Sequence, residues 1–283
     1  MPTISKLIEG LKSGAIVPYL GPGVLKGVVN KENGKPIPAD NESLILAMTG
    51  GKPMSPRLMV EFSRAAMHME HKKGRKFLEG FLTKTYGETH WSQPVFHTWL
   101  ANIKLPYIVD SNRDQELQHL YRETPHTLII GVARLAAHPY RFDIYDNSDG
   151  SYKMIKLNEV NKNLPIIFKP MGSPLPKPSF VASDADFVDY ITELMGGFAI
   201  PNWLKDYRKN RQYLLLGMRF TRDTERMILS DIIYSASQTA GWAFIPQPTD
   251  KERRYLADKN IEIIESDWNE LIQTSTRATA EAS

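Results

Sequence analysis

The sequence predicts an α/β fold: a doubly wound, mostly parallel sheet carrying a helical insertion after its first strand. Three observations carry that expectation. Short apolar runs recur along the 283-residue chain, the last third alternates such runs with helical patterns in the manner of parallel βαβ units, and glycines stand directly after two of the runs, at Gly21 and Gly217.

In chain order, Ile4, Leu7, Ile8 and Leu11 recur at helical spacing and Gly14 ends that helix. The apolar run 15–20 follows and reads as a buried first strand. Helical patterns over 42–48, 56–71 and 75–86 make an insertion of about residues 40–102. Further strands are expected at 106–110, 127–132, 142–145, 153–157, 164–168, 212–216, 242–245 and 261–264, with helices near 184–195, 221–237, 249–258 and 266–274. The middle, 127–170, reads as short strands of unassigned pairing. Residues 1–275 form one domain in this reading, and the small and polar residues 276–283 form a mobile tail.

Composition narrows the function classes. The chain is 42 % hydrophobic and 24 % charged, ordinary for a soluble globular protein. With no cysteine, disulfides, thiolate zinc sites and cysteine nucleophiles are excluded. A formal net charge of +3 does not point to a polyanion, and the basic runs 71–76 and 208–211 read as solvated helix ends, so nucleic acid is not the expected partner. No signal-peptide core opens the chain and no apolar run is long enough to span a bilayer, so no membrane partner and a cytoplasmic location are expected.

Four loops carry the candidate chemistry. The first strand ends in Gly21-Pro22-Gly23, where glycines let the backbone turn sharply and approach a pyrophosphate; a plain strand-to-helix turn is the alternative. The strand at 106–110, the first after the insertion, leads into Ser111-Asn112-Arg113-Asp114, whose side chains suit ribose hydroxyls or a water, and equally suit a helix N-cap. Lys169-Pro170-Met171-Gly172-Ser173 follows the strand at 164–168. Gly217 stops the strand at 212–216, with Thr221 and Asp223 beyond it as further polar groups or as caps. In open α/β sheets such loops converge on one crevice outside the carboxyl ends of the strands.

In order and spacing these segments resemble the SIR2-like family, divergent relatives of sirtuins found in NAD-depleting antiphage systems, from about residue 8 to 272. The matching residues are Gly21 and Gly23, Asn112 and Asp114, Lys169, Gly172 and Ser173, and Gly217 and Asp223. The resemblance implies a Rossmann-like fold with NAD as the nucleotide ligand. By it, Gly21 and Gly23 would hold the pyrophosphate, Asn112 and Asp114 the nicotinamide ribose and reactive water, and Gly172, Ser173, Gly217 and Asp223 would face the cofactor. Glu265 and Asp267 would lie near the adenosine end.

Three departures shape the functional expectation. Met171 stands where the family carries its histidine, and a thioether cannot act as a base near neutral pH. Loss of a general base removes a factor of about 10² to 10⁴ in rate. Pro22 and Leu25 replace the small and hydroxylic residues usual in the first loop, and the absent cysteines remove the zinc module of deacetylating sirtuins, so no zinc is expected. His68, Glu70 and His71 read as a helix surface rather than a metal site. His119 is the histidine best placed to compensate for Met171, although its helix carries it away from the strand end. The expected function is NAD or adenine-nucleotide binding with catalysis weak or lost. The alternatives are an active NAD glycohydrolase of a defence system and a non-catalytic interaction subunit acting through a protein partner or as a homo-oligomer.

Overall fold

The computed structural model describes residues 2–133 and 139–281, with side chains to Arg277. Nine strands form one sheet in the order β11-β10-β9-β1-β2-β6-β3-β4-β5. They are β1 (Ile16–Leu20), β2 (Tyr107–Asp110), β3 (Thr127–Gly131), β4 (Phe142–Asp146), β5 (Lys153–Met154), β6 (Ile166–Lys169), β9 (Gln212–Leu216), β10 (Gly241–Phe244) and β11 (Ile261–Ile264). A separate two-stranded hairpin pairs β7 (Gly172–Ser173) with β8 (Ser179–Phe180).

From β11 to β3 the sheet is parallel, and β4 and β5 add an antiparallel edge. That edge resolves the middle of the chain, where pairing was not readable. The insertion predicted after the first strand holds α2 (Asn41–Met48), α3 (Phe62–Lys73), α4 (Arg75–Thr83) and α5 (Val95–Ile103), following α1 (Ile4–Ser13). The expected helix over 56–71 starts later, because 56–60 form turns, and Gly74 at φ 84° separates α3 from α4. The remaining helices are α6 (Glu116–Leu120), α7 (Asp184–Gly196), α8 (Asn202–Arg208), α9 (Asp223–Ile232), α10 (Asp250–Asp258) and α11 (Asn269–Glu281). Helix α9 is shorter than the pattern over 221–237 suggested. Helix α11 takes in most of the segment expected as a tail, whose last two residues lie outside the described ones.

Alternation along the strands divides the core in two. Leu20, Ile108, Ile167, Leu214 and Leu216 face α1 and the insertion helices, whereas Val17, Tyr19, Val109, Phe168 and Leu215 face α7 to α10. Both faces of the central strands are therefore dry, which explains why they read as unbroken apolar runs rather than as alternating ones.

Chain order reverses at β1: β2 and β6 lie on one side of it and β9, β10 and β11 on the other. This is the topological switch point at which open α/β sheets leave a crevice. Strands β9, β1, β2 and β6 are consecutive neighbours, so Gly21, Asn112, Met171 and Gly217 all follow the carboxyl ends of adjacent parallel strands.

Candidate functional site

A cavity of about 890 Å³ opens at that switch point. Its wall includes Pro22, Gly23, Met171, Gly217 and Asp267 from the loops singled out by sequence. It also includes Arg113, Glu61, Arg222 and Glu225, which sequence reasoning did not place.

The glycines fit two loops together. Gly21 N–H donates to Leu216 O at 2.8 Å and Gly23 N–H to Gly217 O at 2.7 Å. A Cβ on Gly23 would lie 2.8 Å from Gly217 Cα, and one on Gly217, which sits at φ +66°, would lie 2.4 Å from Val24 N. These contacts between backbones leave no room for a side chain. Trp268, just ahead of the last helix, also braces this loop, its Nε1 donating to Gly23 O at 3.1 Å.

Behind the loop lies a buried polar cluster. Lys169 Nζ and Asp110 Oδ2 form an ion pair at 2.6 Å, both side chains fully enclosed. Asp110 Oδ1 accepts from the backbone and side-chain amides of Asn112, each at 3.0 Å, and Asn112 Nδ2 also donates to Gly21 O at 3.1 Å. Asn112 thus ties β2 to the glycine loop, and Asp114 Oδ1, ahead of the Gln115 cap of α6, accepts from Glu116 N at 2.9 Å. Neither Asn112 nor Asp114 contributes to the wall of the cavity.

His97, on α5, joins this cluster: one ligand atom each from His97, Asp110 and Asp114 lies within 4.8 Å of the others, all three residues buried. Both ring nitrogens of His97 and Oδ2 of Asp114 lack hydrogen-bond partners. The ammonium of Lys169 already supplies positive charge to Asp110, so a divalent ion would be set against a buried like charge. A bridging water would satisfy these groups at less cost. Sequence reasoning missed His97 because it sits inside the apolar pattern Phe96 to Leu100, where a lone histidine carries no motif.

The other predicted residues are scattered. Gly172, at φ +88°, lies so close to Ser179 O in the β7–β8 hairpin that only glycine fits, and Ser173 Oγ donates to Gln118 Oε1 at 3.0 Å beneath it. Asp223 is 86 % exposed and pairs with Arg226, and Glu265 pairs with Arg253 at 2.8 Å on the surface. Asp267 does reach the cavity, its Oδ1 held by Asn269. His119 is exposed on α6, and His68 and His71 are exposed on α3.

Charge in the wall is unevenly neutralised. Arg219 is clamped by Glu252 through two bonds of 2.8 Å. Arg113 donates through Nε and Nη2 to Val181 O and packs over the Phe62 ring; burial pulls its guanidinium below its ordinary value. Glu225, in the first turn of α9, is pushed up to about 7, chiefly by burial and further by Glu61. Its Oε2 is enclosed without a partner.

A family model described as the SIR2-like domain matches residues 110–264, more than half of the chain. The chain belongs to the SIR2-like domain family. The matched region of this SIR2-like domain contains Asn112, Asp114, Met171 to Ser173, Gly217 and Asp223, while β1 and its glycine loop precede it. No curated protein matches the chain. As a family, SIR2-like domains are NAD-related, and the mostly parallel sheet of this one agrees with the Rossmann-like architecture expected. Among the described residues, no helix is long and apolar enough to cross a membrane.

Proposed function

We propose that this SIR2-like domain binds NAD or a related adenine nucleotide in the switch-point cavity and turns NAD over weakly or not at all. The observation that carries the reading is the place of Met171. The position at which the resemblance puts a histidine is in the cavity wall, only 6 % exposed, and it holds a thioether. Such a group accepts hydrogen bonds poorly and takes up no proton near neutral pH.

The residues present suit a nucleotide, with one adjustment. A volume of about 890 Å³ is within the range of cofactor clefts. The glycine loop has few free donors: Pro22 has no N–H, Gly23 N–H is taken by Gly217, Val24 N–H by Gly21 O and Lys26 N–H by Gly23 O. Phosphates would therefore rest on Lys26, in the wall, more than on loop amides. A donor-rich ribose would meet Glu61, Glu225 and Asp267.

A second reading, an active NAD glycohydrolase, is favoured by one observation: Glu225 faces the same cavity with its carboxyl raised to about 7, the range suited to a general base. Assay of nicotinamide release, paired with calorimetric titration of NAD and ADP-ribose, separates the two. Binding with negligible turnover, and a gain of turnover in Met171→His, is the result expected. Turnover of several per second by the unaltered chain favours the second reading, and absence of heat or thermal stabilisation with NAD, ADP-ribose and ATP at millimolar concentration removes both in favour of an interaction subunit.

A further inference from the structure

Helix α9 presents to the cavity a carboxyl that the fold uses only in part, through a hydrogen bond from the backbone N–H of Arg222. Glu225 stands in its first turn, and Oε2 is shut off from solvent with no donor to meet it. The groups facing it are Glu61 ahead of α3, Arg222 at the start of its own helix, Glu252 on α10 and Tyr19 on β1. Among the described residues no ion pair relieves it: Arg219 is taken by Glu252, and Arg222 donates its backbone N–H while its guanidinium favours the ion only from a distance. Glu61 has one oxygen occupied by the Thr224 hydroxyl. Arg222 apart, this part of the wall is thus rich in acceptors and poor in donors. An enclosed carboxyl oxygen without a partner disfavours the folded state, and groups kept at such a cost cluster where a ligand completes them.

We propose that Glu225 reads a vicinal diol, its carboxylate accepting the two hydroxyls of a ligand ribose while Glu61 beside it keeps phosphate away. The inference rests on the reading of the cavity as a nucleotide site. Once the side chain turns Oε2 toward the cavity, two adjacent O–H donors match the two oxygens of one carboxylate, whereas a phosphate there would meet two like charges. Near pH 7 the empty cavity keeps Glu225 partly protonated, because burial, with Glu61 adding to it, disfavours the ion. Hydroxyls donated to the carboxylate favour its ionised form, so ribose binding expels a proton from Glu225.

The test is calorimetric titration of ADP-ribose, adenosine and nicotinamide riboside into the unaltered chain and Glu225→Gln, at pH 7 in two buffers of different ionisation heat. The unaltered chain should release protons on binding ADP-ribose. Glu225→Gln should bind it at least about tenfold more weakly and release none, since hydrogen bonds to a charged acceptor are the strong ones. One of the two nucleosides should lose affinity and the other keep it, which identifies the ribose that is read. The Tm of ligand-free Glu225→Gln at pH 8 should equal or exceed that of the unaltered chain. Equal affinity and equal proton release in the two proteins overturn the proposal while leaving the nucleotide reading intact. A fall in Tm beside the loss of affinity marks a structural carboxyl and also overturns it. No binding by the unaltered chain overturns both.

Discussion

The two sides of the crevice treat charge in opposite ways. On the β2–β6 side, the motif residues face one another: Lys169 neutralises Asp110, Asp110 holds Asn112, and Asn112 fastens the glycine loop. On the α9 side, Glu225 and Arg222 line the cavity without forming an ion pair with each other. The motif positions that a sequence comparison picks out are here the ones that hold the loops in place. Met171 and the glycines also line the cavity, but Arg222 and Glu225, the charged groups left open to a ligand on the α9 side, are ones that motif reading passes over.

The sharpest way to break this contrast is Lys169→Ala. If the β2–β6 side is architecture, removing one partner of a fully buried pair leaves Asp110 uncompensated and should cost about 3–5 kcal/mol, read by urea denaturation. A loss below about 1 kcal/mol would mean that water reaches the cluster and that the side is open after all.

Gly217→Ala comes next. The new Cβ would meet the backbone of Val24 and Gly23 in a left-handed conformation, so a loss of at least about 2 kcal/mol is expected in the same assay. A near-neutral result would show that the glycine loops have slack, and would return their amides to a possible phosphate.

Glu225→Gln should act in the opposite direction, and its dependence on pH gives the sign. The folded chain holds the Glu225 proton more tightly than the unfolded chain, so the stabilisation tied to that proton is complete below the ordinary carboxyl range and is lost as pH rises through about 7. The variant should therefore gain little at pH 5 and on the order of 1–2 kcal/mol at pH 8, after discounting for partial solvent screening. Thermal melts at the two pH values check this, and a gain that is the same at both removes the proton from the account.

The smallest effects belong to Asp223→Ala and Glu265→Ala. Both carboxyls are in exposed pairs, worth about 0–1 kcal/mol, and neither lines the cavity, so ADP-ribose affinity should change by less than about twofold. A tenfold loss in Asp223→Ala would draw the ligand site outward along α9.

Much of the fold was legible because the central strands are buried on both faces and so spell apolar runs such as Leu214 to Leu216, with Gly21 and Gly217 marking their carboxyl ends. Convergence of the four loops followed from strand order alone. What was not legible has a common cause. Glu225 occupies a helix first turn, where acidic residues are favoured simply by the helix dipole, so its local pattern is indistinguishable from an ordinary surface position. His97 is hidden by its apolar neighbours in α5. The antiparallel pairing of β3 with β4 joins segments whose short runs carry no register signal. Asp223 and Glu265, in contrast, matched a spacing, but spacing along a helix start or past a strand end does not fix which way a side chain turns.

The register of β1 has a consequence for how the chain acquires its crevice. Ile16 to Leu20 pair along their whole length with Gln212 to Leu216, but with β2 only over Tyr19 and Leu20. During synthesis at roughly 5–20 residues per second, the first strand waits on the order of 10–40 s for the partner that encloses it. Until then its apolar edge is open, Gly23 has no Gly217 to rest on, and Trp268 has not arrived to brace the loop. The crevice is thus among the last parts of the molecule to exist. A nascent chain stopped short of β9 would carry the whole insertion, β2 and β6 and still have no pocket, so any ligand-assisted folding can begin only once nearly the full sequence has emerged.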